Sequence, residues 1–170
     1  MTNYELERNV KAFMNGDNQK FDDIYSETRK IVFLSICSII TDDDLIEDLM
    51  QETYIKAIDN LESYKFGTNF KAWISSIARN LSLNEYNKRK KMILIDEDNY
   101  EFKSNDENSL INKSLNLLKT DSNLREVFVY RIIFNLTFRD ISKIMNLPKS
   151  TIHDTYKKAI SIIKENLEDF

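Results

Sequence analysis

The sequence predicts an all-α protein made of two small helical domains. Three observations carry this. Gly occurs twice and Pro once in 170 residues, too few breakers for a turn-rich β-fold. Apolar residues recur at helical spacing, most clearly in Phe70, Trp73, Ile74, Ile77, Ala78 and Leu81. Between two such periodic regions lies Asp96–Ser109 (DEDNYEFKSNDENS), where Asp96, Glu97, Asp98, Glu101, Asp106 and Glu107 face a single Lys and almost no aliphatic residue. That composition predicts a linker, and the boundaries follow as 1–91, an acidic linker 92–109, and 110–170.

The first domain opens with a short amphipathic helix, Glu5–Met14, with Leu6, Val10, Phe13 and Met14 inward and Gly16 ending it. A long helix from Asn18 to about Ile40 buries Phe21, Ile24, Tyr25, Thr28, Val32, Ser35, Ile36 and Ile39. Its second half is apolar almost all round, which suits the central element of a bundle. Thr41 then caps a helix whose first turn carries Asp42, Asp43 and Asp44, where the helix dipole favours negative charge. Leu45, Leu49, Thr53, Ala57 and Leu61 point inward; Asp44, Asp48, Gln51, Glu52 and Lys56 are left outside, with Glu52 and Lys56 spaced for an i,i+4 ion pair. Pattern alone reads that acidic face as solvated surface.

Ser63–Asn69 (SYKFGTN) is a loop. Gly67 permits a tight turn, and Thr68 or Asn69 caps the next helix. Tyr64, Lys65, Phe66 and Asn69 mix aromatics, a cation and an amide, a set able to stack on and hold an unpaired base; the competing reading is that Tyr64 or Phe66 closes the bundle. Phe70–Lys91 follows with two faces. Its apolar stripe is meant for a core, while Lys71, Ser75, Arg79, Asn80 and Asn84 fall largely outside it and Lys88–Lys91 adds four cations. From Lys71 to Lys91 there are six Lys or Arg against Glu85 alone, in a chain of net charge −4. Such a helix is suited to lie along a polyanion.

In the second domain, Leu110–Leu118 and about Asn123–Phe134 are helical, separated by Thr120-Asp121-Ser122; Leu124, Val127, Phe128 and Ile132 point inward. Thr137 caps Phe138–Met145, Asn146-Leu147-Pro148 turns the chain, and Lys149 or Ser150 opens a last helix to about Leu167, with Ile152, Tyr156, Ala159, Ile160 and Ile163 inside. Helix, three-residue turn and helix is the helix-turn-helix arrangement. Lys149, Ser150, Thr151, His153, Asp154 and Lys157 become candidate major-groove readers.

Composition excludes several classes. No apolar run spans a bilayer, since Ile31–Ile40 is about half the length needed. No secretory signal opens the chain, so membrane insertion is not expected and a cytoplasmic location is. Cys37, the single cysteine, reads as a small core residue. There is no Gly-rich phosphate loop, metal-ligand cluster or Cys–His pair. The expectation is a non-enzyme without cofactor or metal.

Glu47–Tyr54 (EDLMQETY) followed by Phe70–Arg89 (FKAWISSIARNLSLNEYNKR) resembles region 2 of the bacterial sigma-70 superfamily, in its short extracytoplasmic-function (ECF) form, and Leu124–Lys158 is similar to region 4. The resemblance implies an alternative sigma factor, a promoter-specificity subunit of RNA polymerase. It implies that Asp44, Asp48, Gln51, Glu52 and Ile55 dock on the clamp helices of the largest core polymerase subunit. Lys65, Asn69, Lys71, Arg79 and Asn80 would then recognise and open the −10 element, with Trp73 matching the family tryptophan. Lys149, Ser150, Thr151, His153, Asp154, Lys157 and Lys158 would read the −35 element. Implied partners are bacterial core RNA polymerase, including its flap region, promoter DNA and, for many two-domain members, an anti-sigma factor; bound to polymerase, the chain would associate with the nucleoid.

The recognition helix departs from the family in being weakly basic: no Arg lies between Lys149 and Lys158. Asp154 could accept from a cytosine amino group or cap its own helix, and the cap is the favoured reading. Two rivals remain: a stand-alone helix-turn-helix regulator, dimeric on duplex DNA, and a non-initiating helical protein that binds polymerase or an anti-sigma factor.

Overall fold

The computed structural model describes residues 1–92, 110–118 and 121–167, apart from the side chains of 91, 92, 112 and 167. The chain divides into two compact units, the first being Met1–Met92. The acidic stretch expected to link them lies outside the described residues.

In the first unit, α1 (Asn3–Met14) begins two residues earlier than its apolar pattern suggests. Thr2 accepts from Glu5 N–H while the Glu5 carboxylate takes Thr2 N–H at 2.8 Å, a reciprocal cap. That pairing holds the Glu5 carboxyl below its ordinary value, chiefly through the Thr2 N–H. α2 (Lys20–Cys37) is the central element, with Ile31, Val32, Leu34, Ser35, Ile36 and Cys37 all buried. α3 (Asp43–Asp59) is capped by Asp42, whose Oδ1 accepts from Leu45 N–H at 3.1 Å, so the cap falls one residue after Thr41. Its buried face carries Ile46, Leu49, Thr53, Tyr54 and Ala57, while Leu45 is only half-buried. Tyr54 faces inward because its hydroxyl meets that of buried Thr28 at 2.9 Å; burial pushes the phenol up to about 12. Tyr25, expected inside, lies at the edge with its ring 4.9 Å from that of Tyr54. Glu52 and Lys56 form no ion pair: both are exposed, where water competes for each charge. A 3-10 turn (Leu61–Ser63) leads to the loop before α4 (Phe70–Met92).

α4 packs against α1, α2 and α3. Its apolar stripe is buried at Phe70, Ile74 and Ala78, but the packed face also includes Ala72, Ser75, Arg79 and Ser82, and Trp73, Ile77 and Leu81 are half-buried. The helix is thus turned toward its serine edge. Ser75 and Ser82 donate to the carbonyls four residues back, Lys71 O at 2.7 Å and Ala78 O at 2.9 Å. Ser35 and Thr53 do the same on α2 and α3, at 2.6 and 2.7 Å. A hydroxyl satisfied within its own helix behaves as a small residue and lets backbones approach. Burying Phe70 and Ile74 beside this seam contributes about 1.5–3 kcal/mol each.

In the second unit, α5 (Leu110–Leu117), α6 (Ser122–Phe128) and α7 (Phe138–Met145) pack on α8 (Lys149–Leu167). Asp121 caps α6, accepting from Asn123 and Leu124 N–H. α6 continues as a π-helical turn, Val129–Ile133, which adds a residue to the turn. Val129 and Tyr130 are therefore buried, and Ile132 is exposed rather than inward. Thr137 caps α7 by accepting from Asp140 N–H at 3.1 Å. Asn146 takes a left-handed conformation (φ 52°), and Ser142 clasps the turn, donating its hydroxyl to Leu147 O at 2.6 Å. α8 starts at Lys149, with Ile152 N–H donating to Pro148 O at 3.1 Å.

Candidate nucleic-acid interface

The acidic face of α3 is set by helical spacing. Asp44, Asp48, Gln51, Glu52 and Ile55 recur at i, i+4, i+7, i+8 and i+11, and all are exposed. None of the four polar side chains hydrogen-bonds or ion-pairs with another described residue. Ile55 is 58% exposed, and Ile58, one turn further on, is 44% exposed. Two exposed isoleucines thus lie beside the acidic side chains. Ile58 escaped sequence reasoning because it looks like one more aliphatic residue in an apolar helix.

The loop before α4 is a compact construction. Tyr64 is only 4% exposed and sits against Phe70 and Trp73, with centroids 5.1 and 5.4 Å away, so this aromatic closes the bundle. Phe66 rests edge-on against Tyr64 at 5.3 Å and stays 40% exposed. Gly67 supplies the positive φ, +80°, that the turn requires. Thr68 donates its hydroxyl to Lys65 O at 2.7 Å. Asn69 caps α4, its Oδ1 accepting from Ala72 N–H at 3.2 Å. Two contacts come from α1: the Tyr64 hydroxyl donates to Glu7 Oε1, and Gly67 N–H donates to Glu7 Oε2 at 3.2 Å. Burial first, and the Glu7 carboxylate second, push the Tyr64 phenol well above its ordinary value. Glu7 was not legible as part of this site, since nothing in a short amphipathic helix marks one glutamate for a loop 57 residues away.

The residues the resemblance assigns to the −10 element are not presented alike. Lys65 and Asn80 are exposed, and Asn69 is half-buried at its cap. Lys71 is held by Glu27 at 3.2 Å, and Arg79 is only 8% exposed, on the packed side of α4 between Ser75 and Ser82. The cationic end of α4 is partly neutralised as well. Arg89 meets Asp42 at 2.8 Å and Glu85 at 3.2 Å, and Lys88 meets Glu85 at 3.5 Å. Among the described residues, Lys65 and Lys90 have no carboxylate partner, and Lys90 lies over the Tyr86 ring at 5.9 Å. The positive field is therefore narrower than the count of cations suggests.

In the helix-turn-helix, Lys149, Ser150, Thr151, His153, Asp154, Lys157 and Lys158 are all exposed on α8. Asp154 does not cap: it lies in the second turn, with Oδ1 3.8 Å from His153 Nδ1. His153 stands edge-on to Phe138 at 5.4 Å, and the Arg131 guanidinium lies over the Phe138 ring at 5.1 Å. Among the described residues, no group of three or more His, Cys, Asp or Glu could hold a metal, and no helix is long and apolar enough to cross a membrane.

The first unit thus carries an exposed acidic face on α3 and an aromatic–amide loop, and the second a helix-turn-helix whose last helix exposes the polar residues of its first turns. Comparison with known proteins adds to this picture. Residues 32–92 match the family model for sigma-70 region 2. The chain is similar to the ECF RNA polymerase sigma factor SigW of Bacillus subtilis (strain 168), at 22% identity over 96% of this chain and 97% of that protein. It is also similar to SigM of the same organism, at 34% identity over 45% of this chain and 47% of that one. Among solved structures, the sigma factor RpoE in complex with the anti-sigma factor NepR, from Bartonella quintana, shares the fold with a TM-score of 0.70 at 23% identity, over 88% of this chain and 98% of that one. CnrH in complex with the cytosolic domain of CnrY does so with a TM-score of 0.64 at 15% identity, over 96% and 95%. The first unit thus carries a sigma-70 region 2 match, and the chain is similar over most of its length to ECF sigma factors.

Proposed function

We propose that this chain docks on bacterial core RNA polymerase through the exposed face of α3 and directs it to promoters by reading two elements. Asp44, Asp48, Gln51, Glu52 and Ile55, joined by Ile58, form the docking surface. Lys65, Phe66, Asn69 and Asn80 act at the −10 element, with Lys71 available once it leaves Glu27. Lys149, Ser150, Thr151, His153, Lys157 and Lys158 face the −35 element. Arg79, 8% exposed on the packed side of α4, acts through the packing of that helix.

The observation that carries this reading is the uncommitted state of the α3 face: four polar side chains with no partner among the described residues, beside Ile55 at 58% exposure. A regulator that works without polymerase has no use for it. The division of labour also suits the energetics. Holding a base outside the stack costs a few kcal/mol, which a preformed loop offsets by stacking and hydrogen bonding. Two modules on one chain raise each other's effective concentration along the promoter. Catalysis belongs to the polymerase. An anti-sigma partner is supported by the fold shared with RpoE and CnrH, each solved with such a protein or with a partner's cytosolic domain.

Affinity measurements with purified core polymerase test the reading. Saturable one-to-one binding by the full chain, with weak binding to free duplex, is expected. A symmetric dimer that binds duplex tightly and ignores polymerase would contradict it.

A further inference from the structure

We propose that Glu7 is a positioning residue for promoter opening: by holding Tyr64 and Gly67 it presents Lys65, Phe66 and Asn69 as a preformed platform for an unpaired base. The inference rests on the −10 role given to this loop above.

Three contacts join α1 to the loop. The two oxygens of Glu7 accept separately, Oε1 from the Tyr64 hydroxyl and Oε2 from Gly67 N–H at 3.2 Å. Asn3 Nδ2 donates to Thr68 O at 3.0 Å. Retaining α1 does not require them, because Leu6 and Val10 are fully buried and the helix packs on α2 and α4. What the contacts order is the loop. Gly67 is its one residue with positive φ, and fixing that N–H fixes the turn. Tyr64 is the surface on which Phe66 rests, with rings 73° apart, so the hydroxyl contact also sets the exposed Phe66 ring. A carboxylate only accepts, and its two oxygens let each donor have an acceptor atom of its own. A platform ordered before DNA arrives avoids the entropy cost of ordering on binding.

The test uses holoenzyme assembled from core polymerase and the full chain, on a promoter mapped with the wild-type protein. Glu7→Ala should slow opening of duplex promoter on the order of 10-fold, the loss of two hydrogen bonds to a charged group. Starts on a template already melted at −10 should stay within about two-fold of wild type, and polymerase affinity should hold. Discrimination between −10 bases should flatten. Glu7→Gln, with one carbonyl oxygen for two donors, should fall between, and Tyr64→Phe should shift opening in the same direction. Unchanged opening with Glu7→Ala and Tyr64→Phe would overturn the proposal. Equal losses on duplex and pre-melted templates, or loss of polymerase affinity, would reduce Glu7 to a structural role and overturn it too. Failure of the wild-type chain to start transcription anywhere would instead remove the −10 reading on which it rests.

Discussion

One carboxylate of Asp42 ties two helices: Oδ1 caps α3 at Leu45 N–H, and Oδ2 meets Arg89 Nη1, 47 residues along the chain, at 2.8 Å. Both contacts favour the ionised form, the Leu45 N–H more than Arg89, and the carboxyl is held below its ordinary value of 3.8. The stability it contributes is complete above that value and is lost as pH falls through the lower folded value. Asp42→Ala should therefore lower the melting temperature at neutral pH, and the gap to wild type should close below about pH 4. Arg89→Ala keeps the cap and should cost less. Thermal melts across that pH range check both.

The α3 face carries charge that no other described residue pairs with. Reversing Asp48 and Glu52 to Lys should weaken polymerase binding about 10-fold or more and leave the melting temperature unchanged. Titration of core polymerase with labelled protein, beside a thermal melt, reads both. Unchanged affinity would remove the docking assignment.

Neighbours on α4 should part company. Arg79→Ala, at 8% exposure, should cost about 1–3 kcal/mol of stability through lost packing and lost contacts. Asn80→Ala should leave stability alone and impair opening at −10, with recovery on pre-melted templates. Denaturant melts and start assays separate the two.

The serine seam should resist enlargement. Ser82 is fully buried, and Ser82→Leu should destabilise the first unit by about 1–3 kcal/mol, read as a lower denaturant midpoint.

Lys149→Ala or Ser150→Ala should change which upstream sequences are preferred. A uniform loss across sequences would mean phosphate positioning in place of base reading.

The helices were legible because their spacing and caps agree: Thr137 caps α7 as its position implies, and α4 covers nearly the stretch its periodicity marks. What hid was whatever depends on neighbours. Ser75 and Ser82 look polar on paper, yet back-bonded hydroxyls make them packing residues, and they carry Arg79 inward with them. The π-helical turn after Phe128 adds a residue that no apolar period announces, which moves Ile132 to the surface. The acidic face of α3 was visible as charge, but that its side chains pair with no other described residue is a property of the fold. The Glu7 contacts join positions 57 and 60 residues apart, beyond any local pattern.

Run-off transcription with core polymerase, with and without the chain, on DNA from its own source tests the central claim most directly. New starts that share two upstream elements are predicted. Polymerase that binds the chain yet gains no starts, or fails to bind it at all, would contradict the account.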